Sequence, residues 1–280
     1  MVHSIKDTYT LSNGVEIPVM GLGVYKNTDQ EELKGAIETA LQAGYRHIDT
    51  AAVYNNEAGV GRAVKESGIL REELFITTKV WNTDQGYEET LAAFERSLEA
   101  LGLEYVDLYL VHWPMPGTYT DTYRALETLY DSGKVRAIGV SNFHEHHLET
   151  LFKECRIKPV LNQVEYHPHL PQKALKEFCG RHDILLEAWA PLKRGGLFDH
   201  PVIVGAAEKY GKSPAQIILR WDIQNGVSTI PKSVTPERIK ENADIFDFEL
   251  TNEEMQQMDT LENGERMGKN PDEVTLESFE

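Results

Sequence analysis

The sequence predicts an α/β protein folded as a (β/α)8 TIM barrel. Eight short apolar segments alternate with longer amphipathic segments along the chain. Most of the apolar segments are continuous, which is typical of parallel strands covered on both faces. A doubly wound open sheet is the alternative. The eight strand–helix units are similar in size, and no linker or break in composition divides them, so the barrel is favoured over the open sheet.

A β-hairpin is predicted before the barrel. Residues 8–12 and 15–19 flank Asn13-Gly14, the strongest signal for a two-residue turn, because both central residues of that turn take positive φ. The hairpin has no place in the barrel wall, and we expect it to close the bottom of the barrel.

The barrel elements follow in order along the chain. The predicted strands are residues 21–24, 45–48, 74–80, 106–111, 135–140, 160–164, 184–188 and 227–230. The predicted helices between and after them are residues 31–42, 57–66, 87–101, 120–132, 144–153, 172–181, 202–210 with 214–225, and 236–243. Ser213-Pro214 and Thr235-Pro236 each place an N-cap before a first-turn proline. Residues 1–280 are expected to form a single domain, with residues 262–280 as a polar, acidic tail. The part of this tail with Arg266, Asn270 and Pro271 either covers the active site or forms a mobile end.

Composition narrows the classes of partner. Lys and Arg total 28 against 45 Asp and Glu, so the net charge is −17. Such a surface repels phosphate backbones and anionic lipid, which argues against nucleic-acid or membrane binding. The first residues lack the apolar segment of a signal peptide. Cys155 and Cys179 are the only cysteines, so a reducing, cytoplasmic location is expected.

Charged residues end three successive predicted strands. Asp49, Lys79 and His112 take these positions, and Tyr54 follows Asp49 by five residues. The active site of such a barrel lies at the carboxyl ends of its strands. Charges there are costly to bury unless paired, so we expect these side chains to meet in one pocket.

An anion site is predicted after the last strand. The chain has no dinucleotide fingerprint, since Lys26 stands where the third glycine would follow Gly21 and Gly23. Lys232 and Ser233 end the last strand, and the N–H groups that open the next helix favour an anion. Arg238 in its first turn suggests an anionic ligand; surface pairing with an acidic neighbour is the alternative.

The sequence resembles the aldo-keto reductases over essentially its whole length. Within the family it is most similar to short-loop bacterial glyoxal or methylglyoxal reductases and 2,5-diketo-D-gluconate reductases. The matching motifs are residues 44–51 with Tyr54, Asn56 and Glu57, residues 77–81, 106–114, 138–143, and 230–235 with Arg238, Glu241 and Asn242.

The resemblance implies an NADP-dependent enzyme that uses NADPH/NADP+ and no metal. It assigns Tyr54 as general acid, Lys79 and Asp49 as its partners, and His112 as the residue that orients the carbonyl. Ser141, Asn142 and Gln163 correspond to the residues that hold the nicotinamide carboxamide, and Trp189 to the aromatic ring stacked on the nicotinamide. Pro191 and Leu192 correspond to the segment near the pyrophosphate. Lys232, Ser233 and Arg238 correspond to the residues that hold the 2′-phosphate, Glu241 and Asn242 to those that contact adenine, and Val234 to a further cofactor-binding position.

Elementary chemistry agrees with these roles. A tyrosine with a pKa near 10 donates a proton poorly at neutral pH, and we expect the Lys79 ammonium to lower that pKa. Asp49 would keep the ammonium ionised, and His112 would donate a hydrogen bond to the substrate oxygen.

The predicted substrate is a small carbonyl compound. Val24, Tyr25, Trp81 and Trp113 should line an aromatic mouth beside His112. The loop at residues 115–119 is short and should leave the pocket open, and the loop at residues 193–200 looks too short to fold over the cofactor. A monomer is expected. A metal-dependent barrel hydrolase and a non-catalytic NADPH-binding partner protein are the alternative functions.

Overall fold

Eight parallel strands form the wall of a barrel in the computed structural model, which describes residues 2–279. Each strand pairs with the strand that follows it in the chain, so the order in the sheet is the order in the sequence. Two hairpin strands precede them, so their numbering starts at β3. The strands are β3 (Leu22–Gly23), β4 (His47–Asp49), β5 (Phe75–Val80), β6 (Val106–Val111), β7 (Val135–Ser141), β8 (Leu161–Glu165), β9 (Leu185–Trp189) and β10 (Ser228–Thr229).

The first and last strands of this sheet meet and close it. Met20 bridges Thr229, and Gly23 bridges Lys232, both in parallel sense. The N–H of Gly21 donates to the carbonyl of Thr229 at 3.0 Å. A Cβ at Gly23 would lie only 2.9 Å from the carbonyl oxygen of Ile230, so the seam fits glycine there. The predicted barrel is thereby confirmed over the open sheet.

Helices cover the outside of the barrel. They are α1 (Gln30–Gln42), α2 (Glu57–Glu66), α3 (Tyr87–Leu101), α4 (Tyr119–Asp131), α5 (Glu145–Phe152), α6 (Lys173–Arg181), α7 (Pro201–Tyr210), α8 (Pro214–Gln224), α9 (Pro236–Ala243) and α10 (Asn252–Asp259). Helix α10 lies outside the predicted set; the Thr251 hydroxyl accepts from the N–H of Glu254, whose side chain accepts from the N–H of Thr251. Among the described residues, no helix has both the length and the apolar character that crossing a bilayer requires.

The hairpin closes the bottom of the barrel. Strands β1 (Thr8–Thr10) and β2 (Glu16–Pro18) pair antiparallel. Leu11 and Ile17 are buried in an apolar cluster with the side chains at the amino-terminal side of the barrel, including Phe75, Leu108, Leu110, Ala137, Val160 and Leu161.

The turn of the hairpin differs from the predicted two-residue form. The last paired residues are Thr10 and Glu16, which leaves five residues in the connection. Gly14 alone of the predicted turn pair takes positive φ, at 84°. The side chain of Asn13 donates instead to the carbonyl of Arg136 at 3.0 Å, so this asparagine ties the loop to the barrel.

Candidate active site

A cavity of about 1330 Å³ opens at the carboxyl ends of the strands. It collects most of the predicted site residues, although they are spread over the whole chain. Those that line it are Tyr25, Asp49, Tyr54, Trp81, His112, Trp113, Ser141, Asn142, Gln163, Trp189, Pro191, Leu192, Lys232, Ser233, Val234, Arg238, Glu241 and Asn242. Val24 and Lys79 lie behind the wall and are fully buried.

A buried ion pair supports the floor of this cavity. The Lys79 ammonium donates to Oδ1 of Asp49 at 2.6 Å and to the carbonyl oxygen of Thr50 at 2.8 Å. The other oxygen of Asp49 accepts from the amide of Gln163 at 2.8 Å. Parallel pairing brings β4 and β5 side by side, so the two charges, distant in sequence, neutralise each other.

Tyr54 lies on a short 3-10 turn (Ala52–Tyr54) beyond β4. Its ring centroid is 5.2 Å from Nζ of Lys79 and 5.9 Å from the ring of His112, which it meets edge to face. The loop is anchored next to it, because Oγ1 of Thr50 donates to Oδ1 of Asn56. The phenol, the imidazole and the ion pair thus share one corner of the cavity.

The protonation of this corner differs from the sequence-based expectation. Burial, followed by the charge of Asp49 and by Tyr25, holds the pKa of Tyr54 well above its ordinary value. The ammonium of Lys79, expected to lower that pKa, donates to Asp49 and Thr50 instead. Burial, and then the charge of Lys79, hold the pKa of His112 well below its ordinary value, so its ring is neutral and carries one N–H. At neutral pH both groups therefore hold a proton they can donate.

Polar side chains beside this corner form a fixed hydrogen-bonding network. The indole of Trp189 donates to Oδ1 of Asn142 at 2.8 Å, and the amide of Asn142 donates to the carbonyl oxygen of His112 at 3.0 Å. Ser141 donates to the backbone carbonyl of Gln163 at 2.8 Å. The side-chain N–H groups of Gln163 face two carboxyls, Asp49 and Glu187, which leaves its Oε1 as the acceptor on this wall. This wall therefore presents acceptor oxygens beside an indole ring, a combination that suits the NH2 group of a carboxamide on an aromatic ring.

The far end of the cavity carries positive charge. Lys232 and Arg238 are exposed, and neither pairs with a carboxylate within residues 2–279, so the alternative of surface pairing by Arg238 is not observed. Ser233 accepts from the N–H of Thr235, which is the N-cap of α9. Two free cations beside the start of a helix fit a phosphate group.

The loop after β9 contributes to the cavity wall. Arg194, Gly195 and Phe198 all line the cavity. Ala190 and Arg194 take positive φ, at 50° and 52°, which lets a short segment bend sharply inward. The loop therefore reaches the groove despite its short length, and the expectation that it is too short to fold over a bound cofactor stays a prediction.

The carboxyl-terminal segment also covers the site. The N–H groups of Met267 and Gly268 donate to the buried carboxylate of Glu165 at 2.5 and 2.9 Å, and both residues line the cavity. A side chain at Gly268 would collide with the indole of Trp189. These contacts fix the segment over the β8 and β9 ends of the barrel.

The end of the same segment closes the aromatic mouth. The ring of Phe279 lies 5.2 Å from the rings of both Trp81 and Trp113. Sequence analysis did not include Phe279 in the site; a lone aromatic in a polar tail was the available signal.

Two histidines at the start of α5, His144 and His147, lie where this segment passes. Nδ1 of His144, the N-cap of α5, lies 2.8 Å from Oδ1 of Asp272, and Nε2 of His144 accepts from Arg266 at 3.1 Å. Nδ1 of His147 accepts from the backbone N–H of His144. Both side chains are mostly buried, with 15% and 11% exposed, so the contact with Asp272 and Arg266 holds the segment at its middle.

The fold and the site together define a class of barrel enzyme. A protonated tyrosine and a neutral histidine lie beside a buried lysine–aspartate pair, at one end of a long groove that is aromatic and amide-lined there and cationic at its other end. Such an arrangement suits oxidoreductases that bind a nicotinamide dinucleotide on a barrel.

Comparison with known proteins identifies the family. The model of the aldo/keto reductase family matches residues 19–263. Glyoxal reductase of Bacillus subtilis is 60% identical over 98% of this chain and 99% of its own. An aldo-keto reductase from a Medee basin deep-sea metagenome library is 47% identical, covering 95% of this chain and 99% of its own, with a TM-score of 0.93. A mutant of Gox0644 in complex with NADPH is 42% identical, and the match covers 96% of this chain and 98% of its own, with a TM-score of 0.92. The chain belongs to the aldo/keto reductase family and is an oxidoreductase that uses a nicotinamide cofactor.

Proposed function

We propose that this protein reduces small aldehydes and ketones to alcohols, with NADPH as the reductant. One observation carries the proposal: the buried Lys79–Asp49 pair lies beneath two proton-bearing groups, Tyr54 and His112, in the wall of a cavity large enough for a dinucleotide and a small substrate. The name of the Bacillus subtilis relative supports a small dicarbonyl such as glyoxal.

In this proposal each residue has a stated chemical role. A bound reduced nicotinamide supplies the hydride. Tyr54 gives its phenolic proton to the carbonyl oxygen as negative charge grows there. The neutral ring of His112 donates a second hydrogen bond to that oxygen and so orients it. Lys79 stabilises the phenolate left behind, and Asp49 keeps the ammonium charged in a dry pocket.

The cofactor would lie along the groove. Ser141, Asn142 and Gln163 would hold the carboxamide, with Trp189 against the ring. Pro191 and Leu192 would follow the pyrophosphate, and Glu241 and Asn242 would contact adenine. Lys232, Ser233 and Arg238 would surround the 2′-phosphate and would favour NADPH over NADH, and Val234 would also contact the cofactor.

The substrate would enter between aromatic rings. A small aldehyde would be surrounded by Tyr25, Trp81, Trp113 and Phe279, with Val24 supporting the wall from behind.

The protein would act as a cytoplasmic monomer of one domain. Light scattering after gel filtration measures its mass and so tests whether it is a monomer.

The decisive experiment follows the absorbance of NADPH. Purified protein is mixed with methylglyoxal, a benzaldehyde or a sugar ketone, with and without EDTA. We expect NADPH consumption with at least one of them and no effect of EDTA. Binding of NADPH without turnover of any carbonyl would favour the non-catalytic binding protein, and loss of activity in EDTA would favour a metal enzyme.

Removing the charge at the far end of the groove tests the cofactor assignment. Arg238→Ala should weaken NADPH binding by roughly tenfold or more, since a charge-assisted contact is worth about 1.5–3 kcal/mol. NADH binding should change little, because NADH lacks the 2′-phosphate. Lys240→Ala, an exposed cation on the same helix, is the matched control. Equal losses for both nucleotides would contradict the assignment.

A further inference from the structure

A second carboxyl group, Glu187, lies buried beneath the catalytic corner. It belongs to β9, two residues before Trp189, and is 0% exposed. Strand register pairs it with Gln163 of β8 on one side and with Ser228 of β10 on the other. None of the roles given above uses it.

Hydrogen bonds join Glu187 to the catalytic pair. The amide of Gln163 donates to Oε2 of Glu187 at 2.7 Å and also to Oδ2 of Asp49 at 2.8 Å. Ser228 donates to Oε1 of Glu187 at 3.1 Å. A single amide therefore lies between two carboxyls, and only its NH2 end can satisfy both. Glu187 acts on the cavity through Gln163.

The charges in this cluster leave Glu187 without a cation of its own. The ammonium of Lys79 is committed to Asp49. Nδ1 of His47 lies 3.7 Å from Glu187, but burial and then the charge of Lys79 lower the pKa of His47 to about 3, so this ring is neutral. Burial and the charge of Asp49 raise the pKa of Glu187 to about 7. Its ionisation therefore lies within the working range of pH.

The inference rests on the proposed function, in which a nicotinamide lies against Gln163 and Trp189. An oxidised nicotinamide ring is a cation and a reduced ring is neutral. We propose that Glu187 is a positioning residue that balances this charge: its carboxylate is ionised when NADP+ is bound and protonated when NADPH is bound. The carboxyl proton passes to solvent when NADP+ binds, and no bond to the nucleotide forms.

Ionisation of Glu187 and binding of NADP+ should favour each other. A cation near the carboxyl favours its ionised form, so NADP+ should bind more tightly as the pH rises through 7. NADPH should lack this dependence. The 2′-phosphate also titrates, but it is common to both nucleotides and cancels in the ratio of their dissociation constants.

The test measures both dissociation constants by quenching of tryptophan fluorescence. For the wild type, the ratio Kd(NADP+)/Kd(NADPH) should fall about fivefold between about pH 6 and about pH 8.5, as for a pKa of Glu187 that is one unit lower with NADP+ bound than with NADPH bound. Glu187→Gln keeps the shape without the charge, and its ratio should change less than about twofold over the same range.

Asp222→Asn is the matched control. Asp222 is equally buried and is bonded to Thr229, but it lies on α8 outside the cluster. This variant should keep the wild-type pH dependence. A dependence that persists in Glu187→Gln, or disappears in Asp222→Asn, would overturn the proposal.

A measurement on the wild type alone covers the case in which a variant fails to fold. Mixed with NADP+ near pH 7 in weak buffer with an indicator dye, the protein should release a fraction of a proton more than with NADPH. Equal release would refute the role of Glu187. If neither nucleotide binds at all, the proposed function itself is wrong, which is a distinguishable result.

Discussion

At the scale of single residues, the site depends on the proton held by Tyr54. Burial keeps the phenol protonated, and the neighbouring ammonium of Lys79 is already bonded to Asp49 and Thr50. In the proposed reaction the lysine therefore matters most once the proton has left, because its ammonium, 5.2 Å from the centroid of the Tyr54 ring, would then stabilise the phenolate.

Removing the hydroxyl of Tyr54 tests its role directly. Tyr54→Phe should lower kcat by about 10²–10⁴, the usual contribution of a general acid. NADPH binding should be unchanged, because the ring remains. Steady-state kinetics with methylglyoxal and fluorescence titration with NADPH measure the two effects. Turnover close to that of the wild type would remove Tyr54 from the role.

The ion pair beneath it also bears on stability. Lys79→Met should destabilise the fold by about 3–5 kcal/mol, because it leaves a buried carboxylate unpaired. The double variant Lys79→Met with Asp49→Asn removes both charges and should recover much of that loss. Urea denaturation followed by circular dichroism gives the free energies of unfolding. If Lys79→Met had the same free energy of unfolding as the wild type, the buried carboxylate of Asp49 would not depend on the ammonium of Lys79.

At the scale of elements, local signals placed most helices correctly, missed one helix and left open whether the carboxyl-terminal segment covers the site. Helix α10 had a readable start, since Thr251 and Glu254 have the spacing of a capping box. The carboxyl-terminal segment had no such signal, because its order comes from partners elsewhere: Glu165 on β8 and His144 before α5. Composition described it as a tail, while long-range bonds fix it over the cavity.

The contact between His144 and Asp272 should control how often the carboxyl-terminal segment opens. Asp272→Ala removes a hydrogen bond to a charged group, worth about 1.5 kcal/mol, so opening should become about tenfold more frequent. Limited trypsin cleavage after Arg266 and Lys269 should accelerate accordingly, and KM for the aldehyde should rise. Glu277→Ala is the control, since this exposed carboxylate makes no hydrogen bond or ion pair with any described residue. Identical cleavage rates in the two variants would contradict the role of Asp272.

At the scale of the whole molecule, the barrel gathers buried carboxyls whose ionisation couples to stability. Glu187 has its pKa raised from 4.5 to about 7 in the folded protein. The folded state therefore holds a proton that the unfolded state loses first. Its contribution to stability is fully present below pH 4.5 and is lost as the pH rises to about 7.

This coupling predicts a difference between two stability curves. The free energy of unfolding of the wild type, minus that of Glu187→Gln, should fall by on the order of 3 kcal/mol between the two pKa values. Urea denaturation across that range of pH measures it. A constant difference would mean that Glu187 titrates in the folded protein as it does in the unfolded chain.

The barrel, the order of its units and most of the residues around the cavity could be predicted from the sequence. Apolar runs and helix caps are local properties, and the strand-end positions of Asp49, Lys79 and His112 follow from them once parallel strands are assumed. Three features came from the folded chain alone: the ammonium is bonded away from the phenol, Glu187 shares an amide with Asp49, and Phe279 closes the mouth. These three features depend on contacts between side chains of different strands and on contacts made by the carboxyl-terminal end of the chain. The local sequence pattern carries no information about such long-range contacts.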